Sequence, residues 1–205
     1  MDEIVRAALA KWPDVPHCYG WLALDARGQW RMRDERCQAL NLRGDIIRHP
    51  ALTGFINRNY QYDENGCWYF QNGPQRVYVD LMSAPYIVHL SEHRLMSHTG
   101  TPFDRADTAY FDAAGNLFLL SGKQLAQLDD RDLAALLSHF YQGQTPLDDA
   151  FLLECLSAEQ IPDDVVLRFP GAASEPVPVA FSELDALMAR LSYQSKPRSQ
   201  NSSHQ

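Results

Sequence analysis

Tyr69, Arg76 and Tyr78 have the residue types and the spacing of a small recognition surface. They flank the turn-forming residues Asn72, Gly73 and Pro74. A four-residue loop over residues 71–74 would place Tyr69 opposite Arg76 on the outer face of a hairpin. An exposed cation–π pair of this kind contributes about 0.5–1 kcal/mol. Because tyrosine and arginine are enriched at binding hot spots, we expect these residues to be exposed and to bind a partner. The alternative is a cross-strand pair that only stabilises the hairpin.

A run of arginines supplies a second candidate site. Residues 27–58 hold seven arginines against three acids, whereas residues 104–191 hold fifteen acids against five bases. Such an asymmetry is typical of an end that faces an anion, although ordinary solvated faces give the same pattern. We expect Arg31, Arg33 and Arg48, together with Arg76, to wall a pocket if the ligand is a small anionic metabolite.

The sequence has none of the common catalytic or metal-binding motifs. It contains no Gly-rich phosphate loop, no H-E-x-x-H and no G-x-S-x-G. His89, His93 and His98 fall within ten positions, but neither a cysteine nor a paired acid joins them. We therefore predict no catalytic residue, no metal and no cofactor, and we favour a binding or adaptor module, with a role in signalling as one form of it, over an enzyme.

Composition narrows the class of partner and the compartment. The net charge of -8 argues against binding to the phosphate backbone of nucleic acids. The four cysteines form no C-x-x-C pair, the N-terminus has no signal-peptide pattern, and no apolar run is long enough to cross a bilayer. We expect a cytoplasmic protein that avoids membranes and binds a protein partner or a small anionic ligand; no oligomeric state is predicted.

One turn motif recurs along the chain and must position these side chains. Asp-x-x-Gly occurs three times before an apolar strand, at Asp25–Gly28, Asp63–Gly66 and Asp112–Gly115. An aspartate that bonds its own turn, followed by a glycine at positive φ, predicts a hairpin at each site. In the hairpin around residues 71–74, alternation then assigns a set of apolar residues to the core: Trp68, Phe70, Val77, Val79 and Leu81.

Helical patterns follow two of these hairpins. HPALTGFINRNY follows the first, and LDDRDLAALLSHF, with Asp129 as its N-cap, follows the third. We predict an α+β fold in which antiparallel β-hairpins pack against short helices, and two related repeat units are one arrangement that the pattern allows. The division that we predict is an N-terminal unit over residues 1–95, a C-terminal unit over residues 96–193 and a disordered tail over residues 194–205.

The segments GQWRM, HPALTGFI and DENGCWYFQNGPQRVYVDLMSAPYIVHL resemble an uncharacterised proteobacterial domain family of unknown function. That family carries a D-G-x-W strand, an R-P-x-L-x-x-x-F helix and a hairpin that is followed by an acid and A-P-F-V/I. The resemblance covers about the N-terminal half and implies repeated α+β hairpin motifs, a binding or signalling role and no established catalytic residue. Gln75 stands where the family has a carboxylate, so no role of that acid carries over. The matching positions are Trp30, Pro50, Leu52, Phe55, Gly66, Trp68, Pro74, Val77, Val79, Ala84, Pro85, Tyr86 and Val88.

Overall fold

The computed structural model describes residues 1–92, 94–169 and 175–199. The chain forms two compact units. Unit 1 comprises Met1–Asp25, Gln29–Ser83 and the segment from Met188 onward, and unit 2 comprises Ala26–Gly28 and Ala84–Leu187. The predicted domain boundary at residue 95 stays a prediction. The boundary between the two compact units lies earlier, after Ser83, because the next strand pairs within the sheet of unit 2.

Among the described residues, unit 1 is built on a six-stranded sheet in the order β3-β2-β1-β6-β5-β4. Neighbouring strands are antiparallel except β1 and β6, which run parallel. The helix α3 begins at a proline, which needs no N–H there, and its Phe55 packs edge-on against Phe70 of the sheet with ring centroids 5.4 Å apart. The strands are β1 Cys18–Leu24, β2 Trp30–Met32, β3 Asp45–Ile46, β4 Tyr60–Tyr62, β5 Trp68–Asn72 and β6 Gln75–Leu81, and the helices are α1 Glu3–Lys11, α2 Glu35–Ala39 and α3 Pro50–Arg58.

The described part of unit 2 carries a nine-stranded sheet in the order β13-β12-β14-β15-β9-β10-β11-β7-β8. Its core includes Phe111 and Phe140, whose ring centroids lie 5.4 Å apart. The strands are β7 Tyr86–Ser91, β8 Arg94–Ser97, β9 Thr108–Phe111, β10 Leu117–Ser121, β11 Gln124–Leu128, β12 Phe140–Gln142, β13 Thr145–Pro146, β14 Val165–Leu167 and β15 Val177–Phe181. The helices are α4 Leu133–Leu137 and α5 Asp149–Ser157, and α6 Leu184–Arg190 begins in this unit.

The predicted α+β class is therefore confirmed: hairpins and short helices account for the fold. No helix within residues 1–92, 94–169 and 175–199 is both long enough and apolar enough to span a membrane.

The three Asp-x-x-Gly segments form the same turn, as the sequence predicts. In each, the aspartate N–H donates to the carbonyl four residues on, at 3.0–3.2 Å. One carboxylate oxygen accepts from the N–H of that same residue, at 2.8–3.0 Å. The glycines all have positive φ, between +73° and +78°. Each carboxylate is buried, so its second oxygen also needs a donor, which Arg31, Tyr78 and Asn116 supply in turn.

The hairpin of β5 and β6 differs from the prediction in register. Its turn has only Gly73 and Pro74 between the paired residues Asn72 and Gln75, so Tyr69 lies opposite Tyr78. The predicted four-residue loop, with Tyr69 opposite Arg76, is wrong. The missing N–H of proline does no harm here, because the ladder closes on Asn72 and Gln75, and Gly73 supplies the positive φ of +57°.

This register error is a shift by two residues, so every side chain keeps its predicted face. Trp68 is 1% exposed, and Phe70, Val79 and Leu81 are buried with it, which confirms them as core residues. Val77 is half-buried.

Candidate functional site

One face of the sheet of unit 1 gathers most of the residues that the sequence singles out. The pairings Ala23–Asp80, Ala23–Arg31 and Tyr69–Tyr78 put their side chains on a common side, which we call the polar face. Alternation along β6 adds Arg76 to this side, and alternation beyond the end of β2 adds Arg33. The polar face therefore carries Arg31, Arg33, Tyr69, Arg76, Tyr78 and Asp80, whereas Arg48 lies outside the strands, exposed, between β3 and α3.

The tyrosines of the polar face are buried, which corrects the expected exposed surface. Tyr69 and Tyr78 are each 6% exposed. Tyr19 stacks on Tyr78 with ring centroids 4.6 Å apart, and the Arg76 guanidinium lies 4.7 Å over the Tyr69 ring. Because this cover comes from β1, a distant part of the sequence, hairpin alternation could not reveal it. A partner cannot reach Tyr69 and Tyr78 as a flat exposed pair.

Hydrogen bonding ties this aromatic cluster to the second Asp-x-x-Gly turn. The Tyr78 hydroxyl donates to Asp63 Oδ2 at 2.9 Å. Burial, strengthened by the nearby Asp63 carboxylate, raises the pKa of the Tyr78 phenol well above its usual value. Burial likewise lowers the pKa of His17, whose ring lies edge-on to Tyr78. The phenol therefore stays protonated as a donor, and the cluster acts as packed structure.

Arg31 and Arg33 are both paired with protein groups. Arg31 Nε donates to Asp25 Oδ2 at 2.7 Å, and its Nη1 donates to the Gly44 carbonyl at 3.0 Å. Arg33 Nη1 forms an ion pair with Asp80 Oδ2, and both side chains are at most 7% exposed. Two more nitrogens of Arg33 donate to the carbonyls of Leu42, at 3.1 Å, and Cys37, at 3.5 Å. The hydrogen bonds of both arginines are therefore directed at protein groups, and not at a pocket for an anion.

A cleft of about 300 Å³ opens beside this ion pair. Asp80 Oδ1 is buried there and has no hydrogen-bond partner among the described residues. Arg198 Nη1 lies 3.7 Å from this oxygen, which is within ion-pair range but too far for a hydrogen bond. The lining combines a phenol, two guanidiniums, two amides, a carboxylate and a hydroxyl: Tyr19, Gly20, Arg33, Gln38, Asn41, Asp80, Arg198 and Ser199.

Gly20 shapes the floor of the cleft. It adopts a φ of +76°, and a Cβ there would lie 2.7 Å from Gln38 Oε1. Gln38 belongs to α2 and donates from Nε2 to the Arg33 carbonyl at 3.1 Å. Any larger residue at position 20 would thus displace the amide that borders the buried ion pair.

The C-terminal segment, residues 194–199, closes one side of the cleft. Gln194 N–H donates to the Gly66 carbonyl at 3.0 Å, and the Ser195 carbonyl accepts from Leu81 N–H at 2.7 Å. Pro197 is buried. The predicted disordered tail begins at residue 194, yet these residues make sheet-like contacts, because their backbone groups satisfy a strand end and a turn. Residues 200–205 of that tail lie outside the described residues.

Sequence reasoning found the polar face but missed the cleft. Alternation along β6 places Asp80 on the same face as Arg76 and Tyr78, yet nothing local indicates its pairing with Arg33, which lies 47 residues away. Nothing in the sequence indicates that Arg198 lies at a site, because it follows the last segment with the apolar periodicity of a helix or strand.

Polar groups of unit 2 act as structural caps. Asp129 is fully buried, accepts from Arg131 N–H at 3.0 Å and from Arg131 Nε at 2.8 Å, and so caps the 3₁₀ turn Asp130–Asp132. These bonds hold the pKa of the Asp129 carboxyl well below its usual value. His89 Nδ1 lies 3.3 Å from the same carboxylate. The capping role predicted for Asp129 is therefore confirmed.

The three neighbouring histidines do not all lie within the described residues. His93 lies outside the described residues, and His98 Nδ1 accepts from Ile87 N–H at 3.2 Å. Burial, with a smaller contribution from His89, lowers the pKa of His98 to about 3. In the part of the chain that the structure describes, no group of three His, Cys, Asp or Glu residues could hold a metal ion.

Comparisons with known proteins extend the resemblance beyond its predicted limit. A family model described as "Protein of unknown function (DUF2946)" matches residues 1–198, so the prediction that the match covers only the N-terminal half is wrong. No curated protein matches. A DUF1285 family protein from Silicibacter pomeroyi DSS-3 is similar in structure, with 12% identity, coverage of 91% of this chain and 98% of that chain, and a TM-score of 0.49. For a DUF1285 family protein from Shewanella baltica OS155 the identity is 13%, the coverage 56% and 88%, and the TM-score 0.38.

Proposed function

Because this chain belongs to the family described as "Protein of unknown function (DUF2946)" and inherits no activity from that description, we propose from its geometry that it is a binding module. The binding site is the cleft beside Arg33 and Asp80. The ligand is a small polar molecule, or the tip of a polar side chain, that donates hydrogen bonds to Asp80.

The observation that carries this proposal is the state of the Asp80 carboxylate. Its Oδ2 is paired with Arg33, but its buried Oδ1 accepts no hydrogen bond within the described residues. A buried acceptor without a donor costs about 1–3 kcal/mol, and more when it is charged. A cleft of about 300 Å³ opens at this atom, so a ligand that brings a donor would recover that cost on binding.

The chemistry of the lining selects the ligand class. The donors of Arg33 are directed at Asp80 and at two backbone carbonyls, and Arg31 is directed at Asp25 and Gly44. The small anionic metabolite that the sequence suggested as an alternative would find only Arg198 as a cation near solvent in the described lining. A hydroxyl, amine, amidine or guanidinium group fits the acceptor better.

An NMR titration tests the proposal without knowledge of the natural ligand. Methylguanidinium, ethylammonium, acetate and phosphate are added separately to ¹⁵N-labelled protein, and the side-chain amide signals of Gln38 and Asn41 are followed, because both residues line the cleft. We expect the two donors to shift these signals with a dissociation constant of about 1 mM, which is what a fragment of this size can reach. Shifts with acetate or phosphate alone would support the anionic alternative instead.

Two variants separate the cleft from general charge effects. Asp80→Asn removes the charged acceptor and should abolish the shifts caused by methylguanidinium. Glu35→Gln removes an exposed carboxylate at the start of α2 and should leave them unchanged. If Asp80→Asn does not fold, the wild-type signals of Gln38 and Asn41 decide by themselves: no shift with either donor rejects the proposal.

We further propose that this module works in the cytoplasm, as a binding partner or adaptor within signalling. The cysteine usage supports the location, since Cys18, Cys37, Cys67 and Cys155 all carry free thiols. Cell fractionation with a tagged chain tests the location.

A further inference from the structure

We infer that Arg198 is a tethered occupant of the cleft, and that the external ligand carries a guanidinium group which competes with it. This inference rests on the proposed function, because it names the ligand class of the same site.

The C-terminal segment is held so that Arg198 faces Asp80. Backbone hydrogen bonds fix Gln194 to Gly66 and Ser195 to Leu81, which immediately follows Asp80 on β6. The bond to Leu81 measures 2.7 Å. Three residues further on, the Arg198 guanidinium reaches the cleft, where its Nη1 lies 3.7 Å from Asp80 Oδ1.

This contact is incomplete in a specific way. Arg198 Nη1 also donates to the carbonyl of Pro197 at 3.2 Å, so the guanidinium is partly turned back onto its own backbone. The Arg198 side chain is 60% exposed, whereas that of Asp80 is 5% exposed. A guanidinium hydrogen-bonded to a carboxylate normally lies at about 2.7–2.9 Å. The tether therefore brings the right group to the right atom but stops short of a hydrogen bond.

An untethered guanidinium can close that gap. Its planar donors match a carboxylate better than the point charge of an ammonium does. A guanidinium already fits this carboxylate, since Arg33 forms an ion pair with the other oxygen of Asp80. A free guanidinium compound, or an arginine side chain of a partner, would thus replace Arg198 and complete the carboxylate.

Removing the internal competitor tests the inference. Arg198→Gln should bind methylguanidinium about 1.4- to 5-fold more tightly than wild type, the factor that corresponds to an exposed ion pair of about 0.2–1 kcal/mol. Binding is measured by the same titration of the Gln38 and Asn41 amides. Lys196→Gln removes a cation from the same segment, but one that does not line this cleft, and should leave the affinity unchanged.

The outcomes separate this inference from the proposed function. If wild type binds methylguanidinium and Arg198→Gln binds it with equal or lower affinity, Arg198 is not an occupant and this inference fails alone. Equal tightening by Lys196→Gln would also reject it, because the effect would then be one of general charge. If wild type responds to neither donor, both proposals fail, because this inference rests on the proposed function. Ethylammonium should gain less than methylguanidinium in Arg198→Gln, and an equal gain would reject the guanidinium preference.

Discussion

Replacing Gly66 by alanine should destabilise unit 1 by about 3.5–6 kcal/mol, whereas the same change at Gly115 should cost only about 1–2 kcal/mol. The two glycines occupy the same position of the same turn, with φ of +73° and +78°. An L residue pays a similar conformational cost at either site, about 1–2 kcal/mol. Gly115 has only Leu156 Cδ1 at 3.9 Å from an added Cβ, so nothing further is lost there.

Gly66 differs because another backbone segment lies against it. A Cβ at Gly66 would be 1.8 Å from the Ser192 carbonyl oxygen and 3.1 Å from Tyr193 Cα. The segment must move away, which breaks the bond from Gln194 N–H to the Gly66 carbonyl, worth about 1 kcal/mol. It also withdraws Tyr193, which is 7% exposed, from its site, at a further cost of about 1.5–3 kcal/mol.

Urea unfolding can measure both changes. All four tryptophans of the sequence lie in unit 1, so tryptophan fluorescence reports on Gly66→Ala. Far-UV circular dichroism reports on both units, and the part of its transition that tryptophan fluorescence does not show follows Gly115→Ala in unit 2. Equal losses of about 1–2 kcal/mol in both variants would refute the reasoning, because they would mean that the Ser192 segment does not press on Gly66.

Three further changes probe buried polar groups. Tyr78→Phe deprives Asp63 Oδ2 of its donor and should lower the free energy of unfolding by about 1–3 kcal/mol, and an unchanged urea midpoint would contradict this. Arg33→Met leaves Asp80 buried without its main partner and should cost about 3–5 kcal/mol; a loss below about 1 kcal/mol would show that the pair is dispensable. Because the pKa of His98 is lowered to about 3, His98 binds a proton below pH 6.5 in the unfolded chain but stays neutral in the folded chain. Stability should therefore fall as the pH drops from 6.5 towards 3, by at most about 1.4 kcal/mol per pH unit, and His98→Gln should flatten this slope; equal slopes in both proteins would argue against it.

Turns and the alternation of side chains along a strand were predictable from the sequence, because each depends on only a few neighbouring residues. The three Asp-x-x-Gly turns need only their own four residues and the next N–H, and they form as expected. The inward position of Trp68 follows from alternation alone, which depends on parity and not on the exact partner. For the same reason the register of its hairpin was missed: a shift by two residues leaves the alternation intact, so the pattern could not choose between the two pairings.

Contacts between distant residues were not predictable. Tyr69 and Tyr78 looked exposed because their cover comes from Tyr19, which reaches them through the parallel pairing of β1 with β6. The ion pair of Arg33 and Asp80 depends on that same pairing. A parallel pair joins strands that are far apart in sequence and leaves no turn signal between them. The sequence could therefore offer the polar face but not the cleft that the long-range pairing creates.

Unit 1 is discontinuous in sequence, and this sets an order for its assembly during synthesis. Residues 29–83 leave the ribosome well before the segment from Met188 onward, and the whole of Ala84–Leu187 is made in between. Domains generally fold as units while the chain emerges, with the earlier one first. Here the later unit is complete first. Until Gln194 and Ser195 are synthesised, the Gly66 carbonyl and the Leu81 N–H lack the hydrogen bonds that they form in the folded protein. The first part of the nascent chain is therefore the last to finish folding.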